Sequence, residues 1–229
     1  MRVAISGSSG VIGTALLGSL RGGGHDVLRL VRRPPTAPDE ILWDPVVGDL
    51  DPRRLEGVEA VINLNGENLG NRRWTRSFKR LIHDSRTRTT AVLAAALAGL
   101  SNPPRVLVSA SGVNVYGNDR GRDRIDEDYP AGEDFLSTLC VDWEAATAAA
   151  RAAGIAVCHP RFGIVIDHGG GALGRMLPLF RLGLGGTLGG GEQYWSPVSL
   201  TDTVRALQFL IEEHGCVGAY NVTAPVPVT

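Results

Sequence analysis

Residues 5–13 read ISGSSGVIG, and the type of fold can be inferred from them. Glycines stand at positions 7, 10 and 13, directly after the β-rich run at residues 2–6 and at the start of a helical pattern over residues 11–20. A strand, a glycine turn and a helix in this order are typical of a dinucleotide-binding unit. Glycines let the backbone turn tightly and approach a diphosphate, which the amides at the helix N-terminus hold. The alternative is a glycine turn without a ligand.

The same alternation of strands and helices continues beyond this unit. Further strands are predicted at residues 26–31, 60–64, 105–109 and 155–157, and a Pro-rich loop, RRPPTAPDE, follows the second strand. Helical patterns begin near residue 74, cover residues 87–97, and run from the segment DFLSTLCVDWE to about residue 153. Strands that alternate with helices form a parallel sheet covered on both faces.

We therefore predict an α/β fold, a Rossmann-type doubly wound parallel sheet with a small C-terminal substrate lobe. Residues 1–161 are expected to form the nucleotide-binding domain. Residues 162–229, where glycine-rich connections become frequent, are expected to form the substrate lobe, interleaved with the last elements of the sheet.

Composition excludes several other classes of protein. The chain of 229 residues has a formal net charge of −1, which argues against a nucleic-acid or membrane partner held by bulk electrostatics. Its three cysteines are widely spaced and form no C-x-x-C pair, so neither disulfides nor a metal site is predicted. The N-terminus lacks a signal-peptide pattern, and no apolar run is long enough to span a membrane. We expect a cytoplasmic protein.

The end of the second strand indicates which coenzyme is bound. An acidic side chain at this point would hold the adenosine ribose hydroxyls of NAD. In the run HDVLRLVRRP, Val31 stands at that position, and Arg32 and Arg33 follow. Guanidinium groups suit a 2′-phosphate, because they donate forked, charge-assisted hydrogen bonds. The sequence predicts NADP rather than NAD; the alternative is that both arginines only solvate a loop.

Several phrases resemble one protein family. GSSGVIG, INLNGENL and SASGVNVYG, in this order, are similar to the extended short-chain dehydrogenases/reductases. The phrases DSRTRTT, GEDFLSTLCVDWE, GGGALGRM and GLGGTLGGGEQYW resemble a divergent group of that family, the sugar-nucleotide-epimerase-like proteins often called epimerase family proteins. The resemblance covers essentially the whole chain, although members of the group usually continue beyond VTAPVPVT into a further helical segment. We therefore expect the chain to be truncated relative to the family.

The resemblance implies roles for particular residues. The diphosphate would be lined by Gly7, Ser9, Gly10, Val11 and Ile12. Leu64, Asn65 and Gly66 would border the adenosine half of the coenzyme, and Ser109 to Ser111 would lie under the nicotinamide. Active members of the wider superfamily also carry a Tyr-x-x-x-Lys pair, whose tyrosine transfers the proton while the lysine lowers the pKa of that tyrosine and holds the nicotinamide ribose.

That pair is missing from this chain. Counting back from Glu144, which resembles the end of the superfamily pattern Y-x-x-x-K-x-x-x-E, the tyrosine position is Leu136 and the lysine position is Cys140. No tyrosine of the chain has a lysine four residues later, since Lys79 is the only lysine. A helix face bearing Leu136 and Cys140 is expected to pack against the sheet.

Other polar groups are candidates for the missing proton transfer. Ser111 is the best of them. Asp134 could act as a base, or it could cap the N-terminus of the helix that follows, and the capping role is favoured. His159 and Arg161 are expected near the nicotinamide or substrate site, with a structural role for His159 as the alternative.

Two functional hypotheses follow. The first is an epimerase/dehydratase-like oxidoreductase that uses NADP and a small-molecule substrate, possibly a nucleotide sugar, with Ser111, Asp134 or a water in place of the tyrosine. The second is a non-catalytic NADP-binding sensor or regulatory protein. The resemblance also implies a possible homodimer formed through the helices at residues 87–97 and 140–153.

Overall fold

The computed structural model describes residues 1–45, 48–167, 171–187 and 189–229. The strands, numbered in chain order, are β1 (Arg2–Ser6), β2 (Asp26–Val31), β3 (Glu40–Asp44), β4 (Asp49–Leu50), β5 (Ala60–Asn63), β6 (Val106–Ser109), β7 (Ser111–Gly112), β8 (Ala156–Phe162), β9 (Ile164–Asp167), β10 (Pro197–Ser199) and β11 (Gly218–Val222). The α-helices are α1 (Val11–Gly22), α2 (Arg76–Ala98), α3 (Phe135–Ala145), α4 (Ala148–Ala152), α5 (Gly171–Arg181) and α6 (Leu200–Glu212). Short 3-10 helices cover Pro52–Leu55 and Val113–Tyr116.

The main sheet has the strand order β11-β8-β6-β5-β1-β2-β3-β4. Every neighbouring pair from β11 to β3 is parallel, and only β4 runs antiparallel to its neighbour β3. Strand β7 adds to β8 beyond the end of β6. The chain starts at the centre with β1, extends to one edge through β2 and β3, and then returns to build the other half from β5 onward. The predicted Rossmann-type, doubly wound sheet is confirmed.

The two faces of this sheet bury separate cores. Alternate residues of each strand point to opposite faces. Val3 and Ile5 of β1 therefore pack with Leu16 of α1 and Leu207 of α6. On the opposite face, the strands pack mainly against α2 and α4; the buried members include Ala4, Leu28, Val61, Leu93, Leu97, Leu107, Ala150 and Val157. Helices cover both faces, as a parallel sheet requires.

Two predicted helical segments are one helix in the structure. The stretches near residue 74 and at residues 87–97 join in α2, because buried side chains continue at helical spacing from Phe78 and Ile82 to Leu93. Between them the buried positions are polar: Thr89 donates its hydroxyl to the Ser85 carbonyl at 2.8 Å. Conversely, the helix predicted to reach residue 153 is divided into α3 and α4.

The C-terminal region contributes to the same sheet. Strands β9 and β10 form a separate two-stranded parallel sheet, whereas α6 covers one face of the main sheet and β11 pairs with β8 at its edge. The division of the chain at residue 161 stays a prediction. Within the described ranges, no helix combines the length and the apolar character that crossing a membrane requires.

Candidate functional site

The glycine turn between β1 and α1 depends on the absence of side chains at two positions. Gly7 has a φ of 73°, and a Cβ atom there would lie 2.6 Å from the Leu64 carbonyl oxygen. A Cβ atom on Gly13 would lie 2.2 Å from the Gly7 carbonyl oxygen. Gly10 is the N-cap of α1 and has no side chain to bind the first amides of the helix. These amides are therefore available to an anion.

A cavity of about 690 Å³ lies beside this turn, at the carboxyl ends of β1, β2 and β5. In an open parallel sheet this is where ligands bind. The cavity is lined by Gly7, Ser8, Ser9, Gly10, Arg29, Leu30, Val31, Arg32, Arg33, Trp43, Pro45, Leu64, Asn65, Gly66, Glu67, Leu81, Asp84, Ser85, Arg88 and Thr89. Its volume is in the range of small-molecule and cofactor sites.

Most of the predicted coenzyme residues line this cavity, namely Gly7, Ser9, Gly10, Arg32, Arg33, Leu64, Asn65 and Gly66. Three do not belong to its lining. Val11 is 41 % exposed on α1, Ile12 packs against the core of the α1 side, and Ser109 is fully buried. Their predicted contacts with the coenzyme stay predictions.

The two arginines after β2 have different surroundings. Arg33 forms a forked ion pair with Glu40 of β3, with its Nη1 2.9 Å from Oε2. Glu40 is only 2 % exposed, accepts from the Thr36 amide, and forms a second ion pair with Arg29. The hydrogen bonds from Arg33 lower the pKa of the Glu40 carboxyl to about 2. Arg32 is exposed and, among the described residues, has no hydrogen-bond or ion-pair partner, so its guanidinium is the one available to a ligand.

Asn63, which the sequence analysis did not single out, joins the ends of three strands and a helix. Its amide oxygen accepts from the Ser6 hydroxyl at 2.8 Å, and its amide nitrogen donates to Thr90 at 2.8 Å and to Ser109 at 3.1 Å. The oxygen also accepts from Asn65. A fully buried amide that makes all these bonds fixes the relative positions of the strand ends beside the cavity. The sequence signal for this role was an Asn at the end of an apolar strand, because a buried polar side chain must find hydrogen-bond partners.

The face of α3 that replaces the Tyr-x-x-x-Lys pair is apolar and packed. Leu136 contacts the cluster of Phe78 and Ile82, and Cys140 is 5 % exposed. Burial raises the pKa of the Cys140 thiol to about 11, so the group is neutral at physiological pH. Asp134 accepts from the amides of residues 136 and 137 and caps α3, so the capping alternative is confirmed.

Ser111 belongs to a hydrogen-bond network next to this face. Its hydroxyl donates to Glu144 at 2.7 Å, and Glu144 accepts from Nε and Nη2 of Arg161, both at 2.9 Å. Arg161 also donates to the Tyr116 hydroxyl, which donates in turn to Asn221 at 2.7 Å. A hydroxyl has one proton, so Ser111 can donate to a substrate only if it leaves Glu144. Its catalytic role stays a prediction.

The hydrogen bonds of this network favour the charged forms of Glu144 and Arg161. Burial by itself would raise the pKa of Glu144, but hydrogen bonds from Arg161 and Ser111 bring that pKa below its ordinary value. The same ion pair raises the pKa of Arg161. His159 is 3 % exposed, and burial lowers its pKa; its ring contacts the Thr147 hydroxyl and the Ser109 carbonyl. His159 therefore lies in the protein interior, which agrees with the structural role given above as the alternative.

The geometry can be compared with known proteins. The model of the NAD dependent epimerase/dehydratase family matches residues 3–223. The chain belongs to this family. The epimerase/dehydratase resemblance inferred from the sequence phrases is therefore confirmed.

Similar members of the epimerase/dehydratase family come from bacteria and from humans. An epimerase family protein of Mycobacterium tuberculosis, MT2273, is 49% identical over 227 residues, which are 99% of this chain and 74% of that protein. The crystal structure of the human epimerase family protein SDR39U1 (isoform 2) with NADPH has a TM-score of 0.89 and 36% identity, over 100% of this chain and 76% of that one. The crystal structure of a nucleoside-diphosphate sugar epimerase from Corynebacterium glutamicum has a TM-score of 0.88 and 36% identity, over 100% of this chain and 47% of that one.

Proposed function

We propose that this epimerase/dehydratase family member binds NADP(H) in the cavity beside the β1–α1 turn, with the adenosine 2′-phosphate against Arg32. The carrying observation is that Arg32 is an exposed guanidinium without a partner among the described residues, at the rim of the cavity and beyond the apolar Val31. An acidic residue at the end of β2 would have favoured NAD. The NADPH in the human relative's structure supports the same choice.

The described residues fit the remaining parts of the coenzyme. The turn at Gly7 and Gly10 offers backbone amides to the diphosphate, and side chains at Gly7 and Gly13 would fill the turn. Leu64 and Gly66 border the cavity on the β5 side. When bound, the nicotinamide supplies hydride chemistry. The protein's contribution is to bind and orient that group and to exclude water from it.

For the reaction, we propose oxidoreductase chemistry of the epimerase/dehydratase type on a nucleotide sugar. The substrate class rests on the nucleoside-diphosphate sugar epimerase of C. glutamicum, with which this chain shares 36% identity. The neutral Leu136 and Cys140 cannot take or give a proton there, so the proton would pass through Ser111 or a water. The three free cysteines agree with a reducing compartment, and we propose a cytoplasmic location.

A second candidate function is a non-catalytic NADP(H) sensor. The observation that favours it is the packing of α3, where Leu136 and Cys140 join apolar clusters at the positions of the superfamily's proton-transfer pair. In that case coenzyme binding would change the stability or the partners of the protein and would not be followed by turnover.

Arg32→Gln tests the choice of coenzyme. We expect this variant to bind NADPH roughly ten- to a hundredfold more weakly than the wild type, because a hydrogen bond to a charged group contributes about 1.5–3 kcal/mol. NADH, which has no 2′-phosphate, should bind both proteins equally. Calorimetric titration measures both affinities. Arg54→Gln, which removes another exposed arginine, is the matched control. Equal NADPH binding by wild type and Arg32→Gln would rule out this contact.

Turnover distinguishes the two candidate functions. Wild type and Ser111→Ala are incubated with NADP(H) and a panel of UDP- and dTDP-sugars, and products are identified by mass spectrometry and NMR, because an epimerisation consumes no coenzyme. If Ser111 transfers the proton, its loss should slow turnover by about tenfold or more. If the protein is a sensor, NADPH raises the melting temperature but no product forms. Equal turnover by both proteins would remove Ser111 from the mechanism.

A further inference from the structure

Arg86 of α2 occupies the space between the cofactor cavity and α3. Its guanidinium lies directly against Gly66, where a Cβ atom would be 2.9 Å from the Arg86 Cζ. On its other side the guanidinium lies 5.1 Å from the centre of the Trp143 ring of α3. Trp143 is one turn after Cys140 on the same helix, so Arg86 brings a charge from α2 to the region where α3 has a neutral thiol.

Within the described part of the chain, Arg86 forms no ion pair, although the Glu67 carboxylate is near enough to interact with its charge. Two of its N–H groups donate to backbone carbonyls, Nη1 to Ile82 at 3.1 Å and Nη2 to Glu67 at 3.0 Å. A guanidinium has five N–H donors, so these bonds leave others available. Burial lowers the pKa of Arg86, and the interaction with the Glu67 charge offsets this cost only in part. Such an arrangement becomes favourable when an anion or a hydroxyl-rich ligand binds beside it.

The topology of the sheet indicates which part of a dinucleotide would reach Arg86. The diphosphate belongs at the β1–α1 turn, in the middle of the sheet. The adenosine half extends toward β2, where Arg32 stands. The other nucleoside must then extend past β5 toward β6, on the side of α3. Arg86 reaches that side through its contact with Trp143 of α3.

We propose that Arg86 is a positioning residue for the nicotinamide half of the coenzyme, binding its ribose hydroxyls or the adjoining phosphate oxygen. It thereby supplies from α2 the cation that position 140 of α3 lacks. This inference rests on the proposed NADP(H) binding and adds to it a residue that no motif of the nucleotide-binding turn contains.

The test compares two ligands that differ in the nicotinamide half. NADPH contains both halves, whereas adenosine 2′,5′-bisphosphate contains only the adenosine part. We expect Arg86→Met to weaken NADPH binding by roughly tenfold or more, as the loss of a charged hydrogen bond predicts, and to leave the affinity for adenosine 2′,5′-bisphosphate within about twofold. Arg32→Gln should weaken both. Arg80→Met, at an exposed position of the same helix, should change neither.

The possible outcomes separate this inference from the proposal on which it rests. If wild type binds neither ligand, the proposed function fails. If wild type binds both and Arg86→Met binds NADPH equally well, only the role of Arg86 fails. Equal weakening of both ligands would show a general effect on the fold and would also overturn it. Should Arg86→Met not fold, Arg86→Lys keeps the charge without the fork and is subject to the same comparison of the two ligands.

Discussion

The Glu144→Gln variant is expected to lose about 3–5 kcal/mol of its free energy of unfolding, because it leaves Arg161 as a buried cation without its carboxylate. The side chains of the pair are only 15% and 11% exposed, and both carboxylate oxygens accept from Arg161. Urea denaturation at neutral pH measures the loss. Asp26→Asn is the matched control: it removes the carboxylate from an exposed ion pair with Arg2, and we expect it to cost about 1 kcal/mol or less.

The pH dependence of this loss has a definite sign. The folded state lowers the pKa of Glu144 below its ordinary value of 4.5. The stability contributed by the carboxylate is therefore fully present above about pH 4.5 and is lost as the pH falls through the folded pKa. The difference between wild type and Glu144→Gln should shrink in acid. A difference below about 1 kcal/mol at neutral pH would contradict the assignment of a buried ion pair.

The Gly13→Ala variant is expected to bind NADPH at least on the order of a hundredfold more weakly than wild type. Its new methyl group would lie 2.2 Å from the Gly7 carbonyl oxygen and 2.8 Å from the Ser8 Cα. Both are backbone atoms, so the turn itself must move, and the amides proposed to hold the diphosphate move with it. Forcing a methyl group into this packed space should also cost about 1–3 kcal/mol of stability.

Gly18 of the same helix provides the control for this prediction. A Cβ atom at Gly18 meets nothing within 4 Å, and the residue is exposed. Gly18→Ala should therefore bind NADPH like the wild type and should be more stable by up to about 1 kcal/mol, because alanine is the better helix former. Calorimetric titration and urea denaturation of both variants make the comparison. Unchanged NADPH affinity in Gly13→Ala would mean that the turn does not hold the coenzyme.

Parts of the fold can be predicted from local pattern, and others depend on partners distant in sequence. Strands β1 and β2 lie where the sequence predicts them, because each is a continuous β-rich run. Strand β3 was missed, since it follows a Pro-rich segment and begins with Glu40. That carboxylate can be buried only because Arg29 and Arg33 of the preceding segment pair with it. Arg33, which the local pattern assigns to a ligand, is thus needed by the fold.

The candidate site shows the same division. The glycine turn and the residues after β5 line one cavity, because motif spacing directly determines the local backbone, and their contacts with a coenzyme stay a prediction. Arg86 and Asn63 were not found from the sequence. Their surroundings come from Trp143, Ser6 and other residues brought together by the sheet and by the packing of α2 on α3. An apolar α3 face, in contrast, was readable from residue type alone.

The hydrogen bond between Tyr116 and Asn221 joins residues separated by 105 positions. Ribosomes deliver the chain from its amino end, and the residues that line the cavity beside the β1–α1 turn all lie within the first 89 residues. The neighbouring polar network, by contrast, is closed only by a strand near the carboxyl end. During synthesis, all residues that line this cavity therefore emerge before the strand that completes the neighbouring network.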